Sequence, residues 1–425
     1  MAKWGVGRSP LDLKLFKKYP YETDWLFRQK FSAMTEHAGE TGEILYMASK
    51  IDPKDRKSWS KEWAALAARV EQQAETSLSG GHMISARDLF LRAWSYFSAA
   101  EYGCYPSEPE FDEYWRKSVD CIHKASALFN PVIQPVEVPF EGKKLPGYFW
   151  RPDESDTKRP TLIAVGGNES SGEQILLTSG PAAVARGYNY FTFEYPGHRG
   201  AVHLYPELTK RHDQEVPFKA AIDYLETFSG VDDRIALTGF SWGGYVVSRV
   251  AAFEKRLQAV IPNSPLVDFH DLLIAAYGPL LKSIPSFLID KLVDWKLSKS
   301  PLQKSLVVYS YWTWGKENMS TRDYINMEGG KKCTVRGHFQ NVTCPALVLI
   351  GKGEGEELVK QAKEFYEGIS SERKELYMFT MEKDGTADHC QIDNRSQGNL
   401  VMFDWLDDLF DYRYQPNHRV NPSGK

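Results

Sequence analysis

The chain has 425 residues, of which 42% are hydrophobic, 25% charged and 13% aromatic. This length exceeds one compact core of ordinary size, so we expect a large globular domain with a smaller one attached or inserted. The formal charge of −4 gives no electrostatic reason to expect nucleic acid or an anionic membrane as a partner.

The N-terminal residues lack the apolar run of a signal peptide, and no stretch approaches the ~20 apolar residues that span a bilayer. The five cysteines are scattered and odd in number, so a disulfide framework is not expected. No C-x-x-C pair or other cluster has the spacing of metal ligands. These features predict a cytoplasmic protein that needs neither a metal nor another cofactor.

Residues 1–130 are predicted to form an N-terminal helical domain. Apolar positions recur at helical spacing in 62–77, 85–102 and 111–129. No fixed repeat period accompanies them, so a solenoid is not expected. The helices could form a homodimer surface or could wall a pocket of the following domain.

From residue 131 onward, short apolar runs alternate with helical stretches. Strands are predicted at 136–142, 145–151, 161–165, 188–193, 234–238, 258–261, 346–350 and 376–379. Helices are predicted at 173–186, 218–228, 245–253, 358–366 and 400–409. The alternation predicts a mostly parallel central sheet with helices on both faces, built from 131–265 and 341–412, with a flexible tail at 413–425.

An aromatic helical insertion at 266–340 separates the two parts of this core. Its rings are Tyr277, Phe287, Trp295, Tyr309, Tyr311, Trp312, Trp314 and Tyr324. An insertion at this point lies over the carboxyl ends of the strands, where open α/β sheets bind ligands, so we interpret it as a lid. Most of the rings are expected to form the lid's own core, and Trp312 is a candidate substrate contact.

The strongest chemical signal is the pentapeptide Gly239-Phe-Ser241-Trp-Gly243, between a predicted strand and a predicted helix. Glycines at both flanks allow a sharp strand-to-helix turn that exposes a strained serine. The helix that follows aims its N-terminal dipole at developing negative charge. Ser241 is therefore the predicted nucleophile, although the same letters also occur in ordinary glycine-rich turns.

A serine hydroxyl needs a base to take its proton, and after such an elbow the acid and then the histidine follow along the chain. Only His389 and His418 lie far enough along, and His418 falls in the predicted tail. His389 lies in a loop just beyond the last predicted strand. We predict that His389 is the general base.

The imidazole must be oriented by an acid, which is expected after the strand at 346–350. Glu354 lies three residues beyond the glycine that ends this strand. Glu356 and Glu357 are rivals, although they could simply begin the next helix. Asp268, after the preceding strand, is a further candidate as the acid or as a substrate contact.

The oxyanion of an acyl-transfer reaction needs two preorganised donors. One is the backbone N–H of Trp242, and the other is expected from the glycine-rich loop after the strand at 161–165. We choose Asn168 N–H, with Gly167 as the alternative. The loop lacks the pattern of a phosphate-binding loop, so nucleotide binding is not expected.

Two further polar residues are candidates for substrate contacts. Glu169 belongs to the same glycine-rich loop as Asn168. His198 lies in the turn after the strand at 188–193, where it could equally be a histidine of a surface turn.

These motifs in this order resemble the α/β-hydrolase superfamily. Within it, the chain resembles the branch with 2,6-dihydroxypseudooxynicotine hydrolase, the fungal chain-shortening hydrolases of pigment polyketide pathways and the fermentation–respiration switch protein. The resemblance is carried by the elbow and by 86–93, 138–142, 145–148, 220–225, 389–391 and 403–406. It implies an α/β-hydrolase fold with a Ser-His-acid triad, filled by Ser241, His389 and Glu354. Many relatives have Asp at the acid position.

The resemblance also implies hydrolysis of a carbon–carbon bond next to a ketone, or of an ester, through an acyl-enzyme. The expected substrate is a small molecule, not a macromolecule. It is a carbonyl compound with a bulky apolar body, aromatic or polyketide-like, of the kind found in secondary metabolism. The same scaffold can support an acyltransferase, a cyclase or a decarboxylase. A third hypothesis is a binding protein with an idle pocket. Serine-directed labelling and product analysis separate these possibilities.

Overall fold

The computed structural model describes residues 14–283, 285–316 and 318–414, apart from the side chains of 278–283, 286 and 287. Residues 1–13, the tail beyond residue 414 with His418, and the side chain of Phe287 lie outside this description.

Among the described residues, five α-helices precede the sheet. They are α1 (Tyr21–Ser32), α2 (Thr41–Lys50), α3 (Arg56–Ser79), α4 (Met83–Glu101) and α5 (Pro109–Ser126). The sequence predicted the last three, whereas α1 and α2, with 12 and 10 residues, were missed because a short apolar pattern is a weak helix signal. In α1, Phe27 packs against Trp59 and Trp63 of α3, with ring centroids 5.0 and 6.0 Å apart. This contact anchors the first helix to the longest one.

The central sheet has eight strands in the order β1-β2-β4-β3-β5-β6-β7-β8. The strands are β1 (Gln134–Phe140), β2 (Lys143–Trp150), β3 (Arg159–Val165), β4 (Asn189–Phe193), β5 (Val231–Phe240), β6 (Leu257–Asn263), β7 (Ala346–Gly351) and β8 (Lys374–Phe379). β2 pairs antiparallel with β1 and β4, and all other pairs are parallel. The mostly parallel sheet that the sequence predicted is present, and the carboxyl ends of β5, β6 and β7 are therefore neighbours.

The first half of the core contributes four helices, α6 (Gly172–Ala185), α7 (Arg199–Leu204), α8 (Glu215–Leu225) and α9 (Trp242–Phe253). α8 begins and ends three residues before the predicted bounds. α9 begins three residues earlier than predicted because the helix starts directly after the elbow serine.

The described residues of the insertion form five α-helices, α10 (Phe269–Ser283), α11 (Ser286–Ser298), α12 (Pro301–Trp312), α13 (Thr321–Asn326) and α14 (Glu328–Lys331). Several of its rings contact one another, as expected: Tyr311 and Tyr324 lie 5.0 Å apart between centroids, and Phe269 stacks on Trp314 at 6.1 Å. α12 also contacts the N-terminal helices, since Ser305 Oγ donates to the carbonyl of Tyr102 at 2.6 Å. The insertion thus packs on the N-terminal region as well as on the sheet.

The chain closes with α15 (Glu356–Gly368), α16 (Met381–Asp384) and α17 (Arg395–Phe410). Both faces of the sheet are buried, as the alternation of β3 shows. Leu162 and Ala164 belong to the core cluster shared with the N-terminal helices, α6 and α17. Ile163 and Val165 belong to the cluster with α8, α9 and α15. The boundaries that divide the chain into parts stay a prediction.

None of the helices in the described part of the chain is both long and apolar enough to cross a bilayer. Within the same residues, no group of three or more His, Cys, Asp and Glu side chains could hold a metal ion.

Candidate active site

Ser241 lies at a strained turn between β5 and α9. Its backbone has φ 59° and ψ −119°, a conformation that costs free energy for a residue with a side chain. The flanking glycines are sterically required: a Cβ at Gly239 would lie 2.2 Å from the carbonyl oxygen of Gly243, and one at Gly243 would lie 2.7 Å from that of Gly166. The turn therefore holds the serine hydroxyl above the carboxyl edge of the sheet.

The loop after β3 passes directly beside the serine. A Cβ placed on Gly167 would lie 2.7 Å from Ser241 Cβ and 3.2 Å from its Oγ. Only a glycine lets the backbone approach so closely. On the other side, Trp242 is the first residue of α9, where backbone N–H groups have no partner within the helix. The two candidate sources of oxyanion donors thus flank Ser241.

The side chain of Asn168 ties this loop to the rest of the protein. Its amide donates to Glu169 Oε1 and to Ser310 Oγ of α12, each at 2.7 Å. Its carbonyl accepts from the ammonium of Lys210. Burial lowers the pKa of Lys210 to about 8. Both the nitrogen and the oxygen of the Asn168 side-chain amide are therefore held by hydrogen bonds.

Glu354 and His389 form a buried pair behind the nucleophile. Glu354 lies just after β7 in a short turn, and its Oε1 accepts the backbone N–H of Gly351 at 2.8 Å. Its Oε2 is bonded to His389 Nδ1. His389 Nε2 is buried and has no hydrogen-bond partner among the described residues. The pairing leaves this second ring nitrogen available to a proton donor in the site.

A residue that the sequence reading missed completes this arrangement. Ser264, which follows β6 and has φ 63°, donates its hydroxyl to Glu354 Oε2 at 2.5 Å. The same hydroxyl lies 3.4 Å from His389 Nδ1. Because β5, β6 and β7 are neighbours, the residues after their ends meet at one edge of the sheet. The position of Ser264 immediately after a buried strand was the signal that could have found it.

The other candidates for the acid have different partners. Glu356 and Glu357 lie in the first turn of α15, and Glu357 accepts from Gln361 at 2.9 Å. Asp268 accepts the backbone N–H of Asp271 at 2.9 Å and lies 3.5 Å from Arg336. Of the four carboxylates considered, the structure brings only Glu354 to the imidazole of His389 among the described residues.

The electrostatics of the pair favour a charged imidazole. Burial by itself lowers the pKa of His389, but the neighbouring Cys390 and Glu354 groups raise it well above its usual value. A histidine with a raised pKa is a stronger base, but it must lose its proton before it can act as one.

His198 is not on the surface, contrary to the alternative that the sequence left open. The residue is 1% exposed, its Nδ1 pairs with Glu194, and its Nε2 lies 3.2 Å from Ser170 Oγ. Glu194 in turn accepts the backbone N–H of Gly172 at 2.7 Å. The histidine lies behind the loop that carries Asn168 and is absent from the described cavity lining, so a direct substrate contact is not supported.

A partly open cavity lies beside Ser241. Its lining consists of Trp25, Gln29, Tyr102, Gly167, Asn168, Glu169, Ser170, Gln174, Ile175, Thr178, Phe240, Ser241, His389, Cys390, Ile392 and Arg395. One cavity is therefore lined by the candidate nucleophile, the candidate base and the loop after β3 that carries Gly167, Asn168 and Glu169, which we call the oxyanion loop. No hydrogen bond joins Ser241 to His389 among the described residues. Catalytic hydrogen bonds of this kind often form only when substrate binds.

One wall of this cavity comes from the N-terminal helices, and none of its described lining comes from the aromatic insertion. Trp25 and Gln29 belong to α1, and Tyr102, which follows α4, donates its hydroxyl to the carbonyl of Glu169 at 2.7 Å. Trp312 instead packs against Phe111 and two other rings. Its position corrects the predicted substrate contact, because the described lining includes no residue of the insertion.

The rings around Trp312 explain this position. Their centroids lie 5.1 Å away for Phe111, 4.9 Å for His203 and 5.4 Å for Tyr309. The cluster joins α5, α7 and α12, so Trp312 connects the insertion to the N-terminal helices.

Comparison with known proteins gives a consistent result. The family described as esterase FrsA-like matches residues 52–315. Hydrolase phmG of Phaeosphaeria nodorum is 30% identical over 353 residues, which cover 76% of this chain and 78% of that protein. The 20-hydroxy-prefusarin hydrolase FUS2 of Gibberella moniliformis is 24% identical over 397 residues, which cover 87% of this chain and 92% of that protein.

A solved structure supports the same fold. The crystal structure of the 2,6-dihydroxy-pseudo-oxynicotine hydrolase superposes with a TM-score of 0.70 and 21% identity, covering 91% of this chain and 98% of that one. This likeness confirms the α/β-hydrolase fold, and the family match with the relatives confirms the branch that the sequence resembles. At this identity the structural likeness speaks for the fold alone.

Proposed function

The chain belongs to the FrsA-like esterase family, and from this premise we propose that it is a serine hydrolase that cleaves a carbonyl substrate through an acyl-enzyme. The observation that carries the proposal is the Glu354–His389 pair, whose Nε2 has no partner among the described residues, in a cavity that both His389 and the strained Ser241 line. The hydrolase names of the relatives support the reaction class.

In the first step, Ser241 Oγ attacks the substrate carbonyl carbon while His389 Nε2 accepts the hydroxyl proton. Glu354 holds the imidazole through Nδ1, which leaves Nε2 for the serine proton, and it stabilises the imidazolium that forms. The carbonyl oxygen becomes an oxyanion, which we assign to the backbone N–H groups of Trp242 and Asn168, with Gly167 as the alternative to Asn168.

In the second step, the tetrahedral intermediate collapses and the leaving group takes the proton from His389. The leaving group is an alkoxide for an ester, and a stabilised carbanion or enolate for a carbon–carbon bond next to a ketone. Water, deprotonated by His389, then attacks the acyl carbon and releases a carboxylic acid and free Ser241. Both substrate classes use the same protein groups.

The cavity lining favours a bulky, partly aromatic substrate. Trp25, Tyr102, Ile175, Phe240 and Ile392 contribute apolar surface to it. One relative is named for its substrate, 20-hydroxy-prefusarin. This name is consistent with a polyketide-like substrate for this chain.

Labelling with a fluorophosphonate, read by intact mass, tests the nucleophile. Wild-type protein is expected to gain one adduct and Ser241→Ala none. Ser170→Ala is the matched control because Ser170 is the other serine in the described lining, and this variant is expected to keep its adduct. An adduct that persists in Ser241→Ala, or wild-type protein that never labels, would contradict the proposal.

Product masses then test the reaction. Hydrolysis adds the mass of one water across two fragments, one of which is a carboxylic acid. A product of unchanged mass would instead indicate a cyclase, and transfer of the acyl group to an added alcohol without release of free acid would indicate an acyltransferase.

A further inference from the structure

Arg395 brings a positive charge to the cavity of Ser241. It is the first residue of α17, its side chain is 8% exposed, and it lines the cavity together with Ser241 and His389. Its nearest carboxylate is Glu36, at 3.6 Å from Nη1. No hydrogen bond from its guanidinium is found within the described residues, although this group has five N–H donors.

Two amide side chains lie beside this guanidinium at the same wall. Gln29 of α1 and Gln174 of α6 line the cavity with Arg395, and neither amide has a hydrogen-bond partner in the part of the chain that the structure describes. Both amides can donate to an oxygen atom. Three helices thus place a guanidinium, held only by an ion pair with Glu36, and two amides without partners among the described residues around one end of an otherwise largely apolar cavity.

The start of α17 adds to the positive potential at this end. α17 begins here with no acidic residue in its first turn, so the positive end of its dipole adds to the guanidinium. Lys30 lies next to Arg395 in the adjoining smaller cavity and donates to the carbonyl of Ser95 at 2.9 Å, but burial lowers its pKa to about 7, so it carries only part of a charge near neutral pH. Burial raises the pKa of the Glu36 carboxyl, so this carboxylate is protonated and neutralised more readily than an exposed one.

Another carboxylate lines the cavity but is engaged elsewhere. Glu169 Oε1 accepts from the amide of Asn168 at 2.7 Å. The ammonium of Lys210 is bonded to the other end of the same amide. The charge of Glu169 is therefore balanced on the side of the oxyanion loop and does not neutralise Arg395.

We propose that Arg395, Gln29 and Gln174 form a subsite for an anionic oxygen of the substrate, such as a carboxylate or an ionised enol or phenol. The guanidinium binds the anion, and the two amides donate to its remaining lone pairs. The inference rests on the proposed function, since it names a chemical feature of the substrate that Ser241 attacks.

Binding of a matched pair of probes tests the subsite without turnover. Full-length Ser241→Ala is titrated by calorimetry with 4-phenylbutyrate and with 4-phenylbutanamide, which differ only in the charge and donors of the terminal group. The carboxylate is expected to bind at least about tenfold more tightly, as for a hydrogen bond to a charged group. Adding Arg395→Gln to this variant is expected to remove the preference, and Arg395→Lys to keep part of it.

Arg186→Gln is the matched control. Arg186 also contacts α17, with its guanidinium 5.2 Å from the Phe403 ring, but it does not line the cavity. It is expected to leave the preference unchanged. Equal or undetectable binding of the two probes to Ser241→Ala, or a preference that survives in Arg395→Gln, would overturn the subsite. If Arg395→Gln does not fold, the probe comparison in Ser241→Ala and the Arg395→Lys variant decide.

The two proposals fail separately. Wild-type protein that never labels with fluorophosphonate contradicts the hydrolase, whatever the probes show. A labelled enzyme without a preference for the carboxylate probe contradicts only the subsite.

Discussion

Arg28 in the first helix forms an ion pair with Asp388, the residue before the candidate base, with 2.6 Å between Nη1 and Oδ2. The other carboxylate oxygen of Asp388 accepts the backbone N–H of His389 at 2.8 Å. The two side chains are 14% and 1% exposed. The N-terminal region thus holds the histidine loop as well as one wall of the cavity.

Arg28→Gln is expected to destabilise the protein in a pH-dependent way. Burial raises the pKa of Asp388 to about 6 even with Arg28 opposing, so losing Arg28 raises it further above the ~3.9 of an unfolded aspartate. The folded variant then prefers a protonated Asp388, and its stability falls as pH rises through that range. We expect a deficit of up to about 3 kcal/mol near neutral pH and a smaller one at pH 5.

Thermal unfolding of both proteins between pH 5 and 8 measures this effect. Arg69→Gln is the control, because Arg69 is 55% exposed and lies 3.4 Å from Glu43 in a surface pair. A Tm difference for Arg28→Gln that shrinks with rising pH would contradict the prediction.

Glu354→Gln is expected to lower kcat on the order of 10³- to 10⁴-fold, because the imidazole loses the group that orients it. It also changes the pH profile. The carboxylate helps to raise the pKa of His389, and only the neutral imidazole can act as the base, so the acidic limb of kcat/KM should move to lower pH in the variant. Glu356→Gln, in the first turn of α15, should leave both the limb and kcat unchanged. An unshifted limb in Glu354→Gln would argue that His389 is not the base.

Gly167→Ala is expected to reduce kcat about 100-fold through displacement of the nucleophile or the oxyanion loop. The added methyl group would lie 2.7 Å from Ser241 Cβ and 3.0 Å from the carbonyl oxygen of Phe240, which is too close for either to remain in place. Gly42→Ala in α2 meets no atom within 4 Å and serves as the control. Steady-state kinetics with an activated ester provide the measurement, and a fully active Gly167→Ala enzyme would place the loop elsewhere.

Trp25 and Trp312 are expected to have opposite mutant phenotypes. Trp25 lines the cavity, so Trp25→Ala should raise KM for a bulky aromatic ester with a smaller effect on kcat. Trp312→Ala removes ring contacts between α12, α5 and α7 and should cost about 3 kcal/mol of stability while KM stays nearly unchanged. Kinetics combined with thermal unfolding separate the two. A raised KM in Trp312→Ala would indicate that the insertion contacts the substrate after all.

Local patterns in the sequence determined much of this protein. The alternation of apolar runs and helical stretches predicted all eight strands, and the glycines around Ser241 predicted the elbow, because both depend on residues close together in the chain. Glu354 and His389 could be placed by their distance from strand ends, although Glu356 and Glu357 remained open.

Only the tertiary structure decided which side chains meet across long separations. The pairs Ser264–Glu354 and Arg28–Asp388 join residues 90 and 360 positions apart, and no local pattern marks either of them. The same reason explains why Trp312 was misplaced: its aromatic character is visible in the sequence, but the partner that buries it is chosen by the packing of α5, α7 and α12. Strand order brings the ends of β5, β6 and β7 together, and the docking of α1 then decides what closes the cavity above them.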